Sequence, residues 1–450
     1  METDSQLARL GLFDARVPRY TSYPTAPHFS DAVGPDTFTG WISAIARGAE
    51  ISLYVHVPFC RRLCWFCACR TQGTQTLAPV ASYVETLCDE IRRLGALLPG
   101  DVRLSRLHWG GGTPTLLSPD LIGRVAGTIA DVVPFAEAAE FSVEIDPSEI
   151  DEARLAALAA AGMNRASIGI QDFDEEIQAA IGRPQGYELT RGVVDMIRAH
   201  DIASLNADIL YGLPHQTPAR LTETVQKLLS FAPDRVALYG YAHVPWMSKR
   251  QRLIPTDALP TPQDRLHLFE TARRLFLWDG YDEIGIDHYA RPGDGLARAR
   301  AEGRLRRNFQ GYTDDTAEVL IGLGASSISR FPQGYAQNAP ATGAWAERIG
   351  AGGFATYRGH AFAGEDRLRG RLIEELMCYF RIDSARMQQE GATPEWLRAR
   401  YAEVARQFPG MVEWDGSGFA IRRQGRPLAR MIARGFDAYA LSQAGHSAAI

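Results

Sequence analysis

Four of the six cysteines in the chain fall within ten residues, at Cys60, Cys64, Cys67 and Cys69. Thiolates are soft ligands, and groups of them select zinc, copper(I) or iron–sulfur clusters. Structural zinc usually takes two separated ligand pairs, and the chain has no second CxxC and no HxxxH. Ferredoxin spacings, which supply four thiolates per cubane, also differ. The CxxxCxxC spacing therefore indicates three corners of a [4Fe–4S] cluster, with one iron open to a non-protein ligand.

The cysteines follow a short apolar run, 51–57, that is rich in β-branched residues and predicts a buried strand. Pro58 ends that strand and begins a loop. The cysteines therefore lie on a loop at the carboxyl end of a strand, where α/β folds place their chemistry. Four thiols this close rarely all pack as core, which disfavours the interpretation of buried or disulfide-bonded cysteines.

Length and charge limit the remaining possibilities. At 450 residues the chain can bury a large core and form more than one domain. With a net charge of −5, the chain lacks the excess of positive charge that is typical of proteins that bind nucleic acid or an anionic membrane. No signal peptide and no apolar run of roughly 18–20 residues is present, so we expect no membrane span. We expect a cytoplasmic protein, in which clustered cysteines bind metal or do redox work.

Strand and helix patterns alternate from residue 51 onward, which predicts an α/β fold with a parallel sheet. The predicted strands are 51–57, 104–109, 140–145, 165–170, 204–209 and 235–240. Six β-then-α units, where a closed barrel has eight, predict an incomplete (β/α)6 barrel that is splayed enough for a large substrate.

Polar or glycine residues follow most of these strands. A glycine triplet, 110–112, can let the backbone approach a ligand closely, although it could equally form a tight turn. The other residues at strand ends are Glu144, Asp146, Gln171, Asp172, Asp208, Tyr239, Tyr241, Ala242 and His243. Because parallel strands in a barrel end at one mouth, we expect these residues to share a site. For His56 and His108, within strands, we favour hydrogen-bonded structural roles.

The rest of the chain divides into three predicted parts: an N-terminal arm over 1–35, the barrel over 36–290, and a cap of helices with a β-hairpin over 291–450. Within them we predict a helix over 261–279, a strand over 281–287 and a loop over 338–365. A helical region should begin at 371, and a hairpin should turn at Asp415 and Gly416. Cys88 should be a core thiol, and Cys378 should lie beside the polar face of its helix, without a role.

These patterns resemble the radical S-adenosylmethionine (SAM) superfamily. Nearly end to end, the chain resembles the oxygen-independent coproporphyrinogen III oxidases of anaerobic haem synthesis. That family has a six-unit barrel with an N-terminal arm and a C-terminal cap over its mouth. The matching motifs are PRYTSYPT at 18–25, YVHVPFC at 54–60, the fourth cysteine Cys69, HWGGGTP at 108–114, IQDF at 170–173, DILYGLP at 208–214 and NFQGY at 308–312.

The resemblance implies specific site residues. Cys60, Cys64 and Cys67 would bind the [4Fe–4S] cluster, and Cys69 and Tyr54 would be catalytic. The residues implied to contact a cluster-bound SAM are Tyr54, Gly111, Glu144 and Ile328. Those implied to contact a second SAM are Phe66, Gly112, Thr113, Gln171, Arg183, Asp208 and Ala242. The chain departs from the family's usual pattern at Gly182 and Pro184, which flank Arg183, and at Trp65.

The resemblance also implies a reaction. A propionate β-carbon has no acidic proton, so a carbon radical from reductive SAM cleavage would abstract its hydrogen. Loss of CO₂ and of one electron then leaves a vinyl group. Repeated on two propionates of coproporphyrinogen III, this gives protoporphyrinogen IX. The implied partners are that substrate, a low-potential electron donor and a terminal electron acceptor. We expect a monomer.

Two alternatives belong to other functional classes. The related haem chaperones share the cluster motif, but they generally lack the 19–24 arm and the fourth cysteine that this chain has. The second alternative is a cysteine-ligated zinc or electron-transfer module, which metal analysis would distinguish from an iron–sulfur enzyme.

Overall fold

Twelve strands form one mixed sheet in a computed structural model that describes residues 2–440 and 447–450. The strands are β1 (Glu50–Val57), β2 (Arg103–Gly111), β3 (Phe135–Ile145), β4 (Arg165–Gln171), β5 (Ser204–Tyr211), β6 (Arg235–Gly240), β7 (Asp282–Ile284), β8 (His288–Ala290), β9 (Leu320–Leu323), β10 (Ile328–Phe331), β11 (Gly334–Asn338) and β12 (Thr356–Ala361). All six predicted barrel strands are confirmed, as β1 to β6.

The spatial order of the strands is β12-β11-β10-β9-β1-β2-β3-β4-β5-β6-β8-β7. Strands β9 and β1 to β6 run parallel to one another, whereas the strands beyond β9 and beyond β6 pair antiparallel. Because β12 and β7 are edges, hydrogen bonds do not close the sheet into a barrel. The predicted α/β class and incomplete (β/α)6 barrel are confirmed.

Helices cover the outside of this sheet. Those that follow β1 to β6 are Ala78–Gly95, Pro119–Val132, Glu152–Ala160, Glu175–Ala180, Tyr187–Ala199, Pro218–Leu229 and Pro262–Trp278. The apolar face of Ala78–Gly95, including Cys88, is buried as its spacing predicts. Capping side chains begin several of these helices; the Thr217 hydroxyl, for example, accepts from the Arg220 N–H at 3.3 Å.

The remaining elements lie before β1, in the loop after β1, and after β8. The helices are Glu2–Arg9, Pro35–Ser43, Gly295–Ala301, Thr342–Gly350, Asp366–Tyr379, Ser384–Gln389, Pro394–Gln407 and Ala429–Arg434. The short strands are Phe59–Cys60, Gln72–Gly73, Arg306–Asn308, Gly311–Thr313, Arg381–Asp383, Val412–Trp414 and Gly418–Ile421. The predicted hairpin is confirmed, because Trp414 pairs with Phe419 across the turn.

Two sequence predictions in this part of the chain are wrong. The predicted strand over 281–287 is a pair of short antiparallel strands, β7 and β8, because Gly285 adopts a positive φ of 55° and turns the chain. The predicted loop over 338–365 holds the helix Thr342–Gly350 and β12, and the helix is anchored by the fully buried Trp345. Cys378 is fully buried in a small apolar cluster, and Glu374, Glu375 and Arg371 of the same helix lie near enough for their charges to act on its thiol, so its predicted place beside a polar face stands.

The two ends of the chain pack together. Leu12, Tyr20 and Tyr23 belong to the same apolar cluster as helices Asp366–Tyr379 and Ala429–Arg434. Strand β9, in contrast, extends the main sheet by pairing with β1. The division of the chain into arm, barrel and cap at residues 35 and 290 stays a prediction. In the described residues, no helix is both long and apolar enough to span a bilayer.

A buried carboxylate joins the helix after β1 to the later part of the chain. Glu90, 1% exposed, accepts hydrogen bonds from the Gly324 N–H at 2.7 Å, the Asn338 amide at 2.7 Å and the Trp345 indole at 3.2 Å. Burial raises the pKa of Glu90 to about 7, although these three donors oppose the rise.

We predict that Glu90→Gln changes how stability depends on pH. Because folding raises the pKa of Glu90 from 4.5 to about 7, the protonated form is favoured in the folded state. The stability that protonated Glu90 contributes is present in full below pH 4.5 and is lost as the pH rises through 7. The shift corresponds to about 3 kcal/mol. Thermal unfolding between about pH 5 and 8 should show the wild type losing more stability than Glu90→Gln.

Glu85→Gln is the matched control for this experiment. Glu85 lies on the same helix, but its side chain is 69% exposed. This variant should keep the pH dependence of the wild type. Equal pH dependence in the wild type and Glu90→Gln would contradict the assignment.

Candidate active site

The cysteine loop is held by main-chain hydrogen bonds to itself and to the neighbouring strand end. Phe59–Cys60 pairs with Gln72–Gly73, which closes the loop at its base. The Cys67 N–H donates to Cys64 O at 3.3 Å, so these two residues share a tight turn. The Trp65 N–H donates to Ile181 O at 2.9 Å, which joins the loop to the segment after β4. These bonds place three cysteines on one short, folded loop.

The thiols of this loop influence each other. Burial raises the pKa of Cys60 to about 11, and the charges of Cys67 and Cys64 raise it further. A hydrogen bond from the Cys69 thiol lowers the pKa of Cys67, and the Cys69 N–H donates to Cys67 Sγ at 3.4 Å. Arg183 Nη1 donates to Cys64 Sγ at 3.4 Å. The donor set is therefore three soft sulfurs beside a cation, and it fits the three protein corners of an anionic iron–sulfur cluster.

The cysteine loop does not form a site for a single metal ion. Among the described residues, no three His, Cys, Asp or Glu side chains form a group that could hold one metal ion.

Tyr54, Glu144 and Gly111 form one network with two histidines, made of hydrogen bonds and one ring stack. The Tyr54 hydroxyl is 2.9 Å from His56 Nδ1, and the Tyr54 ring stacks on His108 with 5.7 Å between centroids. His108 Nε2 is 3.3 Å from one Glu144 oxygen, and the Gly111 N–H donates to the other at 3.0 Å. Burial alone would raise the pKa of Glu144, but these bonds hold it below its usual value.

Ile328, the fourth residue implied for this group, begins β10. Tyr54 pairs with Gly322 of β9, and a Cβ on Gly322 would lie 2.8 Å from Ile328 O. Ile328 is therefore separated from Tyr54 by the single glycine Gly322.

Protein atoms occupy the space beside each member of the glycine triplet. A Cβ on Gly110 would lie 2.6 Å from Glu144 Oε1, and one on Gly111, whose φ is +110°, would overlap the His56 ring. A Cβ on Gly112 would lie 2.5 Å from Phe59 O and 2.8 Å from Val57 O. The glycines therefore let β2 and its loop pack against Glu144, His56 and the strand end that precedes the cysteines.

A second group of predicted residues surrounds Arg183. Its guanidinium donates to Asp146 Oδ2 at 3.1 Å and to Gly169 O at 3.0 Å, in addition to Cys64. Gln171 lies where the register of β4 with β5 shifts, and its φ is +71°. Burial raises the pKa of Asp208 to about 6, and the charge of Glu144 raises it further, while the Asn206 amide, donating at 2.8 Å, opposes the rise.

Gln251 joins the last predicted residues to the cysteine loop. Its amide nitrogen donates to Phe66 O at 2.7 Å and to Ala242 O at 3.0 Å. The Thr113 N–H donates to Phe59 O at 2.8 Å, and its hydroxyl interacts with Cys60. Gln251 is fully buried and was missed by the sequence analysis, because a single glutamine in a turn-rich segment carries no periodic or motif signal.

The two departures from the family pattern contact each other. Gly182 has a φ of +66°, and a Cβ there would lie 2.8 Å from the Trp65 ring. A left-handed residue favours glycine or asparagine, so glycine preserves the backbone that positions Arg183. The absence of a side chain also makes room for the tryptophan. Both changes therefore keep the contact between the loop and the segment after β4.

Comparison with known proteins assigns the family. The sequence profile of the Radical SAM superfamily matches residues 54–228. The chain is 67% identical to the oxygen-independent coproporphyrinogen III oxidase of Paracoccus denitrificans over 451 residues, which cover 100% of both chains. The chain belongs to the oxygen-independent coproporphyrinogen III oxidases. The relatives of that name from Cereibacter sphaeroides and Escherichia coli are 59% and 38% identical, over 98% and 97% of this chain and 98% and 96% of theirs.

The fold of a solved oxidase agrees with this assignment. The structure of coproporphyrinogen III oxidase HemN from Escherichia coli, described as a radical SAM enzyme, matches with a TM-score of 0.88 at 36% identity. The match covers 95% of this chain and 100% of that one. The predicted family is confirmed, and the protein is an oxidoreductase of the radical SAM superfamily. Membership implies a [4Fe–4S] cluster and SAM as its cofactors.

We predict that Gly112→Ala destabilises the oxidase and loosens its cysteine loop. The added Cβ meets only main-chain atoms of Val57 and Phe59, which cannot move aside as a flexible side chain could. We expect a cost of about 1–3 kcal/mol, measured by thermal unfolding, together with faster loss of cluster absorbance.

Gly123→Ala is the control, since Gly123 lies within helix Pro119–Val132 with open space beside it. This variant should be as stable as the wild type or about 0.5–1 kcal/mol more stable. A Gly112→Ala variant that matches Gly123→Ala would contradict the close packing.

Proposed function

We propose that this protein converts two propionate side chains of coproporphyrinogen III to vinyl groups without oxygen, giving protoporphyrinogen IX. One observation carries the proposal: the cysteine loop, the Tyr54–Glu144 network and Arg183 meet at the carboxyl ends of β1 to β4. Family membership supplies the reaction class, and the relatives' names supply the substrate.

Cys60, Cys64 and Cys67 are proposed to hold the [4Fe–4S] cluster. When bound, the cluster and SAM supply the hydrogen-abstracting radical that an unactivated propionate carbon requires. The chain positions these groups. Arg183 places a cation against Cys64, where it stabilises the anionic sulfur of a cluster ligand.

Two SAM molecules are proposed to bind at this mouth, as the family resemblance implies. Glu144, which is kept ionised by His108 and the Gly111 N–H, is an acceptor for hydroxyl or ammonium groups of the first. Tyr54, Gly111 and Ile328 complete that proposed set. Asp208, with its raised pKa, and Gln171 offer acceptors to the second. The other residues proposed for the second SAM are Phe66, Gly112, Thr113, Arg183 and Ala242.

Cys69 and Tyr54 are proposed as catalytic residues. The Cys69 thiol interacts with Cys67 and lies within electrostatic reach of Glu144, so it lies between the proposed cluster and the first SAM residues. The Tyr54 hydroxyl is held by His56, and His56 Nε2 is 3.1 Å from Arg70 O on the same loop. Both side chains therefore adjoin the residues that are proposed to hold the cluster and the first SAM.

We expect the anaerobically reconstituted protein to convert coproporphyrinogen III in the presence of SAM, a strong one-electron reductant and a terminal electron acceptor that takes the electron released with each CO₂. Chromatography should show protoporphyrinogen IX, CO₂ and 5′-deoxyadenosine, with 5′-deoxyadenosine formed at least once per vinyl group. Cluster-loaded protein that binds haem tightly but forms no vinyl product would contradict the oxidase function and favour the haem chaperone.

A cysteine series tests the cluster ligands. Cys60→Ser, Cys64→Ser and Cys67→Ser should each lose most of the bound iron and its brown absorbance, because each removes one of only three protein corners. Cys69→Ser should retain iron but lose product formation. Cys88→Ser, which changes a buried thiol under the sheet, is the control and should keep both. Iron retained by any of the first three variants would contradict that ligand.

A further inference from the structure

A cavity of about 650 Å³ lies between the carboxyl end of β6, the N-terminal arm and the C-terminal helices. Its volume is in the range of small-molecule binding sites. Its lining is strongly basic, since arginines outnumber aspartates and glutamates there by eight to three. The chain as a whole carries a net charge of −5, so this concentration of positive charge is local.

Three of these arginines are bound by main-chain oxygens. Arg19 donates to Gly240 O at 2.8 Å, Arg265 donates to Ile450 O at 3.1 Å, and Arg430 donates to Pro18 O at 3.1 Å and Ala448 O at 2.8 Å. Within residues 2–440 and 447–450, no side-chain carboxylate hydrogen-bonds or pairs with any of the three.

These cations also repel each other. Burial lowers the pKa of Arg430 and of Arg265, and the positive charge of Arg19 lowers both further. Arginine nevertheless remains charged at neutral pH. These half-buried positive charges have no hydrogen-bonded side-chain carboxylate, and an anionic ligand would offset their desolvation cost.

Arg307 points to the same kind of ligand. Its side chain is only 3% exposed, and its Nε and Nη1 have no hydrogen-bond partner. The guanidinium lies 4.5 Å from the Tyr312 ring centroid, and Asp287 Oδ1 is 3.7 Å from Nη1, beyond hydrogen-bond distance. Arg307 lines this cavity and the adjoining one beneath the arm at Tyr20–Tyr23, so both adjoin a buried guanidinium whose Nε and Nη1 lack hydrogen bonds.

The cavity adjoins the candidate active site. Gly240 and Ala242 form part of its wall. Ala242 O accepts from Gln251, whose amide also holds Phe66 of the cysteine loop. A ligand that fills the cavity therefore reaches the strand ends where the cofactors are proposed to bind.

We propose that this cavity binds the tetrapyrrole by the propionate carboxylates that are not decarboxylated, with Arg19, Arg265, Arg430 and Arg307 as their ligands. Guanidinium forks match carboxylates in two-point hydrogen bonds, and retained carboxylates are the anionic groups that substrate and product share. The inference rests on the proposed function. It assigns the substrate's orientation: the bound propionates lie among the arginines and the reacting ones face the cysteine loop.

Binding of coproporphyrin III, the oxidised and unreactive form of the substrate, tests this assignment without turnover. Fluorescence titration of the reconstituted holoenzyme should show at least tenfold weaker binding for Arg19→Gln and Arg265→Gln than for the wild type. The tetramethyl ester, which lacks the negative charges, should bind the wild type and both variants equally weakly. SAM binding and the slow 5′-deoxyadenosine formation without tetrapyrrole should be unchanged in both variants.

Arg381→Gln is the matched control, since Arg381 is an exposed arginine in strand Arg381–Asp383 of the C-terminal part. It should bind coproporphyrin III as the wild type does. If Arg265→Gln does not fold, Arg265→Lys keeps the charge but loses the planar fork, and it should show a smaller loss of binding.

Two outcomes would overturn the inference, and they differ from failure of the function. Wild-type affinity for coproporphyrin III in both glutamine variants, with an active wild type, would remove the cavity assignment and leave the oxidase function intact. Weakened SAM binding with unchanged porphyrin binding would assign the arginines to the second SAM. A wild type that forms no vinyl product would remove the oxidase function, and the inference with it.

Discussion

The parallel register of β1 with its neighbours is the constraint on which the site depends. Val57, the last residue of β1, pairs with Gly111 of β2, so the loop with the cysteines begins beside the glycine triplet. On the other side, Tyr54 pairs with Gly322 of β9, which brings Ile328 near. A shift of one residue in either pairing would turn Tyr54 and His56 away from the barrel interior. The central strand therefore fixes which side chains can meet.

The electrostatics of the mouth follow from this packing. Glu144 stays ionised because the strand ends bring a histidine and a backbone N–H to its carboxylate, whereas Asp208, with one amide donor, has a raised pKa. Two carboxyl groups on neighbouring parts of one sheet thus differ in their readiness to ionise. Burial raises the pKa of both groups, so the difference comes from the hydrogen bonds to Glu144 and from the charge of Glu144, which raises the pKa of Asp208.

Much of the barrel could be predicted from the sequence, because apolar β-branched runs and helical spacing reflect burial against one sheet. The strand from 51 to 57 and the buried face of helix Ala78–Gly95 are examples. The helix and strands after β8 could not be predicted from such spacing. Helix Thr342–Gly350 lies in a stretch rich in alanine and glycine and is held by Trp345 and Glu90, a contact between residues far apart in sequence. Gln251 was missed for the same reason.

The cavity explains why the two ends of the chain are needed beside the barrel. The sheet supplies the strand ends where the thiols and carboxylates meet, whereas the arginines of the cavity come from other parts of the chain. Arg19 comes from the arm, Arg265 from the helix after β6, and Arg430 from the last helix, so no single element could gather these charges. Arg430 also ties the arm to the chain end through Pro18 O and Ala448 O. The same side chain therefore assembles the cavity wall and supplies part of its charge.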